Sequence, residues 1–190
     1  MLTKKSKGLR ATGTAAVSCA RHELFRPLGV GDLQKGERYE VFIIFRCQLL
    51  INNLIYRQCN MDYLFASSVT KTQSRLLVIS YDVACQWFTN FWSRMMKLPR
   101  HLHLTMPPDR VFPRVPKFHL QNHEDKCHGP YSFNYTIGGA RTDGEGVERN
   151  WKGLNGQAPS TSEMGAGSRV DTLDDCCGHM NWRKTVSMGE

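Results

Sequence analysis

The longest apolar stretch of the chain is Val41–Tyr56, with the sequence VFIIFRCQLLINNLIY. Arg46, Asn52 and Asn53 interrupt it, and it is shorter than the ~20 apolar residues that a membrane-spanning helix needs. The pattern therefore predicts a buried strand or helix and no membrane span. Residues 1–40 are polar and Gly-rich, and their VGDLQKGERY portion predicts loop.

Two further patterns predict core elements. Leu76–Ile79 (LLVI) indicates a short buried strand that is followed closely by Asp82. Gln86–Leu98 predicts one amphipathic helix that Pro99 ends. Its apolar residues recur at helical spacing and favour a core-facing stripe over a base-stacking platform: Trp87, Phe91, Met95 and Leu98.

The second half of the chain alternates between predicted connectors and one helix. Arg100–Pro116 holds four of the eight prolines and predicts an extended connector. A helix is expected from about Glu145 to Leu154, and a loop at Ala158–Arg169. The end of the chain, NWRKTVSMGE, predicts no completed element.

Composition and charge limit which partners and which cellular compartments are expected. With 190 residues, of which 41% are hydrophobic and 22% charged, the chain has the composition of one globular domain. The net charge of +8 favours a nucleic-acid partner, although an ordinary basic surface would give the same value. The seven cysteines are odd in number and irregularly spaced, and no apolar signal segment precedes them. A reducing intracellular compartment is therefore expected rather than secretion.

Acidic residues provide candidate metal ligands at two places. Asp82 follows a buried strand, where a carboxylate would need a metal or another partner. The alternative is that Asp82 caps the next helix. Glu145 fits a capping box with Thr142, whereas Glu148, one helical turn further on, has no such structural role. Glu148 is therefore the preferred catalytic acid.

Cysteine and histidine provide a second set of candidate ligands. His119, His123 and Cys127 have an H-x3-H-x3-C spacing that would share one face of a helix, and together with Cys85 they suit zinc. A surface histidine cluster with two buried thiols is an equal alternative. Cys176-Cys177-x-His179 is a weaker candidate, because adjacent cysteines seldom bind one ion together.

Several long motifs, in order, resemble the Kyakuja-Dileera-Zisupton (KDZ) transposases, a eukaryotic family abundant in mushroom-forming fungi. The resemblance covers about four-fifths of the chain. The motifs are CARHELFRPLGVGDLQKGERY (Cys19–Tyr39), CNMDYLFASS (Cys59–Ser68), ISYDVACQWFTNFWSRM (Ile79–Met95), PKFHLQNHEDKC (Pro116–Cys127), GGARTDGEGVERNW (Gly138–Trp151) and APSTSEMGAGSRVDTLDD with NWRK (Ala158–Lys184).

The resemblance implies an α/β ribonuclease-H-like core that cuts and joins DNA with Mg²⁺ or Mn²⁺ held by a D…D…E site. Asp82 matches the second aspartate, and Glu148, or alternatively Glu145, matches the glutamate. The family's Cys/His positions fall on the four candidate zinc ligands: Cys85, His119, His123 and Cys127. DNA is the implied partner and the nucleus the implied location.

Three departures from the family pattern lead us to expect an inactive fragment, incomplete at both ends. The first catalytic aspartate should lie upstream of Cys19, but residues 1–18 contain no Asp. About twenty residues, Glu40–Gln58, separate the GERY and NMDY motifs, which are normally almost adjacent. A retained intron in a decayed transposon copy would explain the Val41–Gln58 part, and a genuine apolar insertion is the alternative. Third, the sequence stops after NWRK, where the family continues.

These observations predict an N-terminal family segment, mostly loop, at 1–40, an apolar insertion at 41–58, a ribonuclease-H-like core fragment at 59–184 and a tail at 185–190. Two other functions compete with the inactive transposase fragment. One is a non-catalytic DNA- or zinc-binding module derived from a transposon. The other is a decayed copy whose product does not fold.

Overall fold

The computed structural model describes residues 11, 13–33, 50–139 and 142–189, with the backbone alone for 50–57. Within these ranges short 3-10 turns join the elements. The strands are β1 Gly13–Ser18, β2 Phe25–Leu33, β3 Leu77–Ser80 and β4 Val111–Arg114. The helices are α1 Leu50–Val69, α2 Ala84–Trp87, α3 Phe91–Met95, α4 Lys117–Leu120, α5 Asp125–His128, α6 Gly146–Leu154, α7 Ala158–Thr161 and α8 Ala166–Ser187.

The N-terminal part forms a β-hairpin where the sequence predicted mostly loop. β1 and β2 pair antiparallel, and Val30–Leu33, at the start of the predicted loop, are the last residues of β2. The glycines that suggested a turn serve close packing instead. A Cβ at Gly31 would lie 2.8 Å from Leu64 Cδ2, so a larger residue there would force the Leu64 side chain to move where α1 crosses the hairpin. Ala15, Leu33 and Leu64 are buried at this crossing.

β3 confirms the predicted strand, and β4 corrects the predicted connector. The two strands pair in parallel from Leu77 with Val111 to Ser80 with Arg114. The prolines concealed β4 in the sequence, since Pro113 lies within it and cannot donate a backbone hydrogen bond. In the described part of the chain β4 pairs with β3 alone, so the missing donor can lie on the open side of this short sheet.

The predicted helix at Gln86–Leu98 is divided into α2 and α3, whereas its apolar stripe is core as expected. Asn90 adopts a left-handed conformation with φ of 54°, which ends one helix before the next begins. Trp87, Phe91 and Met95 are nevertheless almost completely buried, and Phe65 of α1 packs edge-on against the first two rings. The hydrophobic spacing thus identified the core but not the break in the helix.

A buried ion pair joins α1 to α2 and α3. Arg94 Nε donates to Asp62 Oδ2 at 2.7 Å, and Trp87 Nε1 donates to Asp62 Oδ1 at 2.8 Å. The same guanidinium donates to the carbonyls of Trp87 and Thr89, which lie at the end of α2 and just before Asn90. Asp62 is 2% exposed and Arg94 8% exposed. Both charges are therefore compensated inside the core, as burial requires.

The C-terminal third is more helical than its sequence predicted. α6 confirms the helix expected at about Glu145 to Leu154. The loop expected at Ala158–Arg169 contains α7 and the start of α8. The 22-residue α8 ends at Ser187, so it extends into the NWRKTVSMGE end, where no completed element was expected. Its polar surface hid it, because only Arg169, Leu173 and Cys177 are buried along its length.

Polar side chains of α8 attach it to the hairpin. Arg169 donates to Asp32 at 2.8 Å and to Thr14 at 2.9 Å. Asn181 both donates to the carbonyl of Phe25 and accepts from its N–H, so its amide pairs with the start of β2 as another strand would. These long-range bonds add to the apolar contact between α8 and the hairpin, in which Cys177 and Met180 pack in one cluster with Phe25.

The mixture of helices and small sheets confirms the α/β class. In the described ranges the strands form two separate two-stranded sheets, and a ribonuclease-H-like core stays a prediction. Of the predicted apolar insertion, residues 41–49 lie outside the described part, and α1 begins at Leu50. No helix described here is long and apolar enough to span a membrane.

We predict that Asp62→Ala lowers the free energy of unfolding by about 3–5 kcal/mol, because it leaves the Arg94 charge buried without its partner. Chemical denaturation followed by tryptophan fluorescence measures the loss. The control is Asp109→Asn, which removes an exposed ion pair with Arg110 and should leave the midpoint nearly unchanged. Equal effects of the two substitutions would show that the buried pair does not stabilise the core.

Candidate metal centre

Three segments meet at the carboxyl edge of the β3–β4 pair. Parallel strands end at the same edge of a sheet, so the residues that follow β3 and β4 start side by side. Ser80, the last residue of β3, donates to the carbonyl of Gly144 at 2.8 Å. Lys117, which follows β4 closely, donates its backbone N–H to the carbonyl of Asp143 at 2.9 Å. These two bonds bring the loop before α6 onto the strand ends.

The approach of this loop requires glycine at position 144. Gly144 has φ of 83°, a conformation that other residues rarely adopt. A Cβ there would lie 2.5 Å from Ser80 Oγ and 2.6 Å from the Phe133 ring. Both the backbone conformation and the space therefore exclude a larger residue where the loop crosses the end of β3.

The first cluster of metal-ligand atoms combines His119 of α4 with the two acids at the start of α6. His119 Nε2 lies 2.8 Å from Glu148 Oε1 and 3.7 Å from Glu145 Oε2. The Glu145 side chain is only 16% exposed and its Oε1 accepts the backbone N–H of Phe118 at 3.0 Å, whereas Glu148 is 63% exposed. We call these three residues the His–Glu cluster.

The start of α6 differs from the predicted capping box. Glu145 itself is the N-cap residue, and the backbone N–H of Glu145 donates to Asp143 Oδ1 at 2.9 Å. The carboxylate of Glu145 is thereby available to face His119. Glu145 and Glu148 lie one helical turn apart, and both reach the same imidazole.

An ion-pair network links the start of α6 to the hairpin and to α8. Arg149 donates to Asp143 at 3.0 Å and to Glu23, in the turn of the hairpin. Hydrogen bonding to Arg149 holds the pKa of Asp143 below its usual range. Lys184 of α8 also lies 3.5 Å from Glu23. The sequence does not predict this support, because no local pattern relates the hairpin turn to a helix more than a hundred residues away.

Asp82 lies in the turn between β3 and α2. Its Oδ1 accepts the backbone N–H of Val83 at 2.8 Å, next to the helix that begins at Ala84. This contact resembles the capping role considered above, although Val83 is the N-cap residue. Among the described residues Asp82 belongs to neither close group of possible ligand atoms. It is positioned at the same carboxyl edge as the loop that leads to Glu145, two residues after the Ser80 contact.

The second cluster contains Cys85, His123 and Cys127, whose ligand atoms lie within 4.8 Å of one another. Cys85 Sγ is 3.3 Å from His123 Nδ1. Burial, and after it the neighbouring Cys127, raise the pKa of the Cys85 thiol to about 11. We call these three residues the thiol cluster. The 3.3 Å between Cys85 Sγ and His123 Nδ1 is close to the distance of about 3.5 Å between neighbouring ligand atoms around tetrahedral zinc.

His119 is separated from the thiol cluster because its segment is not one helix. α4 ends at Leu120 and α5 begins at Asp125, so the H-x3-H-x3-C spacing does not follow a single helix face. The structure therefore brings together three of the four predicted zinc ligands. Cys176 and Cys177 lie on α8, where Cys177 is part of a hydrophobic cluster, and neither joins a described ligand group.

Comparison with families of known proteins adds one finding. The family model described as Kyakuja-Dileera-Zisupton transposase matches the chain over residues 1–56 and 49–181. The two matched ranges overlap at residues 49–56, inside the segment 41–58 where the sequence predicted an insertion. No curated protein and no solved structure matches the chain.

We predict that Cys85 is alkylated much more slowly than the exposed Cys59 near neutral pH, because the thiolate is the nucleophile and burial favours the thiol. The rate at Cys85 should rise as the pH approaches 11. Peptide mapping by mass spectrometry after brief alkylation measures each cysteine separately, with Cys59 as the internal control. Equal rates near neutral pH would contradict the raised pKa.

Proposed function

Because the chain belongs to the Kyakuja-Dileera-Zisupton transposase family, we propose that the carboxyl edge of the β3–β4 pair is its metal-dependent DNA-processing site. The fold we propose around it is a ribonuclease-H-like core. The intact family would cut DNA and transfer the strands with Mg²⁺ or Mn²⁺. This chain would retain the DNA-binding surface and part of the metal site.

The observation that supports the proposal most is the meeting of three distant segments at one sheet edge. Asp82 and Glu148 are far apart in sequence, and the Ser80–Gly144 bond brings their segments to the same place. Sites at the carboxyl ends of parallel strands are the usual binding positions of α/β sheets. The proposed catalytic residues are Asp82 and Glu148, with Glu145 as the alternative acid.

Each proposed residue has a defined task. The side chains of Asp82 and Glu148 would supply oxygen ligands, the type that Mg²⁺ and Mn²⁺ prefer. Glu145, fixed by the N–H of Phe118, would supply a more rigid carboxylate than the exposed Glu148. Bound metal would activate water or a DNA 3′-hydroxyl for in-line attack at phosphorus.

We further propose that the polypeptide of residues 1–190 does not cleave DNA by itself. A pair of cations needs several carboxylates to offset their mutual repulsion. Two aspartates that could replace the missing acid already have cationic partners. Asp62 is paired with Arg94 and Asp32 with Arg169. Strand β1 (GTAAVS) carries no carboxylate.

DNA binding should survive the loss of cleavage. The net charge of +8 suits the phosphate backbone, and binding through Lys and Arg does not need the catalytic acids. Such binding is independent of base sequence and weakens as salt displaces the protein from the phosphates. The nucleus is the compartment in which a DNA-binding protein of this family would act.

We predict that the purified chain shifts duplex DNA of unrelated sequences equally, that added salt reverses the shift, and that supercoiled plasmid stays intact with Mg²⁺ or Mn²⁺. Gel mobility and plasmid relaxation measure the two properties. Asp82→Ala is the matched control, because it removes a proposed ligand without touching a basic residue. Nicking by the parent chain that Asp82→Ala lacks would show that the site is complete and the chain active.

The thiol cluster favours a second candidate function, a zinc-stabilised module. We propose Zn²⁺ as its ion, since two thiolates and an imidazole form a donor set typical of zinc. Cys85 lies on α2, three residues after Asp82 in the preceding turn. An ion at the thiol cluster would therefore also fix the turn that carries Asp82. A module of this kind could bind DNA without any cleavage.

We predict that purified protein carries about one zinc ion per chain and that Cys127→Ser loses it together with thermal stability. Elemental analysis and thermal unfolding with and without chelator measure both effects. Cys59→Ser, at an exposed cysteine, should retain the metal. Zinc-free protein of unchanged stability would show that the thiol cluster is ordinary packing.

A further inference from the structure

We propose that His119 is a ligand of a divalent ion shared with Glu145 and Glu148, and that this ligand makes the site prefer Mn²⁺ to Mg²⁺. The inference deepens the proposed function and rests on it, because it assigns a metal preference to the same carboxyl edge. The sequence had assigned His119 to zinc with the cysteines. The structure places it among carboxylates.

The geometry of the His–Glu cluster fits a single ion. Neighbouring ligand atoms around an octahedral ion with bonds of about 2.1 Å lie about 3 Å apart. His119 Nε2 is 2.8 Å from Glu148 Oε1 and 3.7 Å from Glu145 Oε2, and the ligand atoms all lie within 4.8 Å. Small side-chain adjustments would therefore bring one oxygen from each acid and the imidazole nitrogen to a common centre.

Two of the three ligands are held in place by backbone structure. Phe118 donates its N–H to Glu145 Oε1, which leaves Oε2 as the oxygen that faces the imidazole. His119 lies on α4, and Lys117 at the start of this helix is bonded to the loop before α6. The helix with the histidine and the helix with the acids are thus tied together through the same strand ends.

The charges also favour one cation. In the described part of the chain, the ion pairs of Glu145 and Glu148 are with His119 alone, and neither acid is paired with Lys or Arg. Two carboxylates and a neutral imidazole balance one divalent ion. Binding through Nε2 requires the histidine proton on Nδ1. The cluster therefore matches a site for one ion with one nitrogen and two oxygen ligands.

The nitrogen ligand determines the metal preference. Mg²⁺ is bound almost entirely by oxygen and keeps several waters, whereas transition metals accept imidazole readily. Mn²⁺ combines acceptance of imidazole with a preference for carboxylate, so it suits this set. It also has little affinity for thiolate, which separates it from the thiol cluster.

The test is a Mn²⁺ titration, without DNA, of protein that carries no more than one zinc ion per chain, because excess zinc would occupy the His–Glu cluster more tightly than Mn²⁺ does. The electron paramagnetic resonance signal of free Mn²⁺ follows the titration, which is repeated with Mg²⁺ as competitor. We expect saturable Mn²⁺ binding that His119→Ala weakens at least about tenfold. His119→Asp converts the set to oxygen alone and should shift the preference toward Mg²⁺. His101→Ala, at an exposed histidine, is the control and should bind as the parent does.

Two results would overturn the inference, and they differ in what else they remove. Mn²⁺ binding that Glu148→Gln weakens but His119→Ala and His119→Asp leave unchanged would exclude His119 as a ligand while keeping the proposed metal site. Absence of saturable Mn²⁺ binding in the parent chain would overturn the metal site itself, and the inference with it. Circular dichroism of each variant checks that it is folded.

Discussion

The ion pair between Asp62 and Arg94 holds the centre of the molecule together. The helix predicted across Gln86–Leu98 breaks at Asn90, and Arg94 compensates for the break by binding the carbonyls of Trp87 and Thr89. Because the other side of the guanidinium is bound to α1, the break is fixed rather than flexible. α2 is thereby held in one place, and with it Cys85 and the turn that contains Asp82.

The two ligand clusters differ in environment, although they lie on neighbouring segments. The thiol cluster is partly buried, and burial together with the neighbouring Cys127 raises the pKa of the Cys85 thiol, which stays protonated until the pH is high. A metal must displace those protons, so occupancy there depends on pH as well as on metal concentration. The His–Glu cluster reaches solvent through Glu148, where a hydrated ion and a DNA phosphate can approach. The geometry thus separates a partly buried cluster from one that solvent reaches.

The sequence predicted those parts of the fold whose pattern is local. β3, α6 and the core stripe of Trp87, Phe91 and Met95 each follow from apolar spacing within a few residues. β4 and α8 escaped prediction because their stability is not local. Pro113 argues against a strand at β4, which forms through pairing with β3. Polar side chains such as Arg169 help to attach α8 to the hairpin.

The same distinction applies to the candidate site. The acids and the cysteines could be named from sequence, since residue type and motif order identify them. The way they group could not be predicted, because the chain turns between α4 and α5. His119 therefore lies beside the acids, whereas His123 lies beside the cysteines. Spacing along a chain predicts neighbours only if the intervening backbone is regular.

Gly144 has a consequence for the history of this chain as a mobile element. Copies of a transposon that are no longer selected accumulate substitutions at all positions, and damage is usually judged by whether the acidic residues survive. Here the acids can meet the strand ends only while position 144 has no side chain. A copy that keeps every carboxylate but has another residue at position 144 would retain the sequence motif, while its loop could not pack against the end of β3. In this chain, the residue at position 144 therefore reports on the packing of the site separately from its carboxylates.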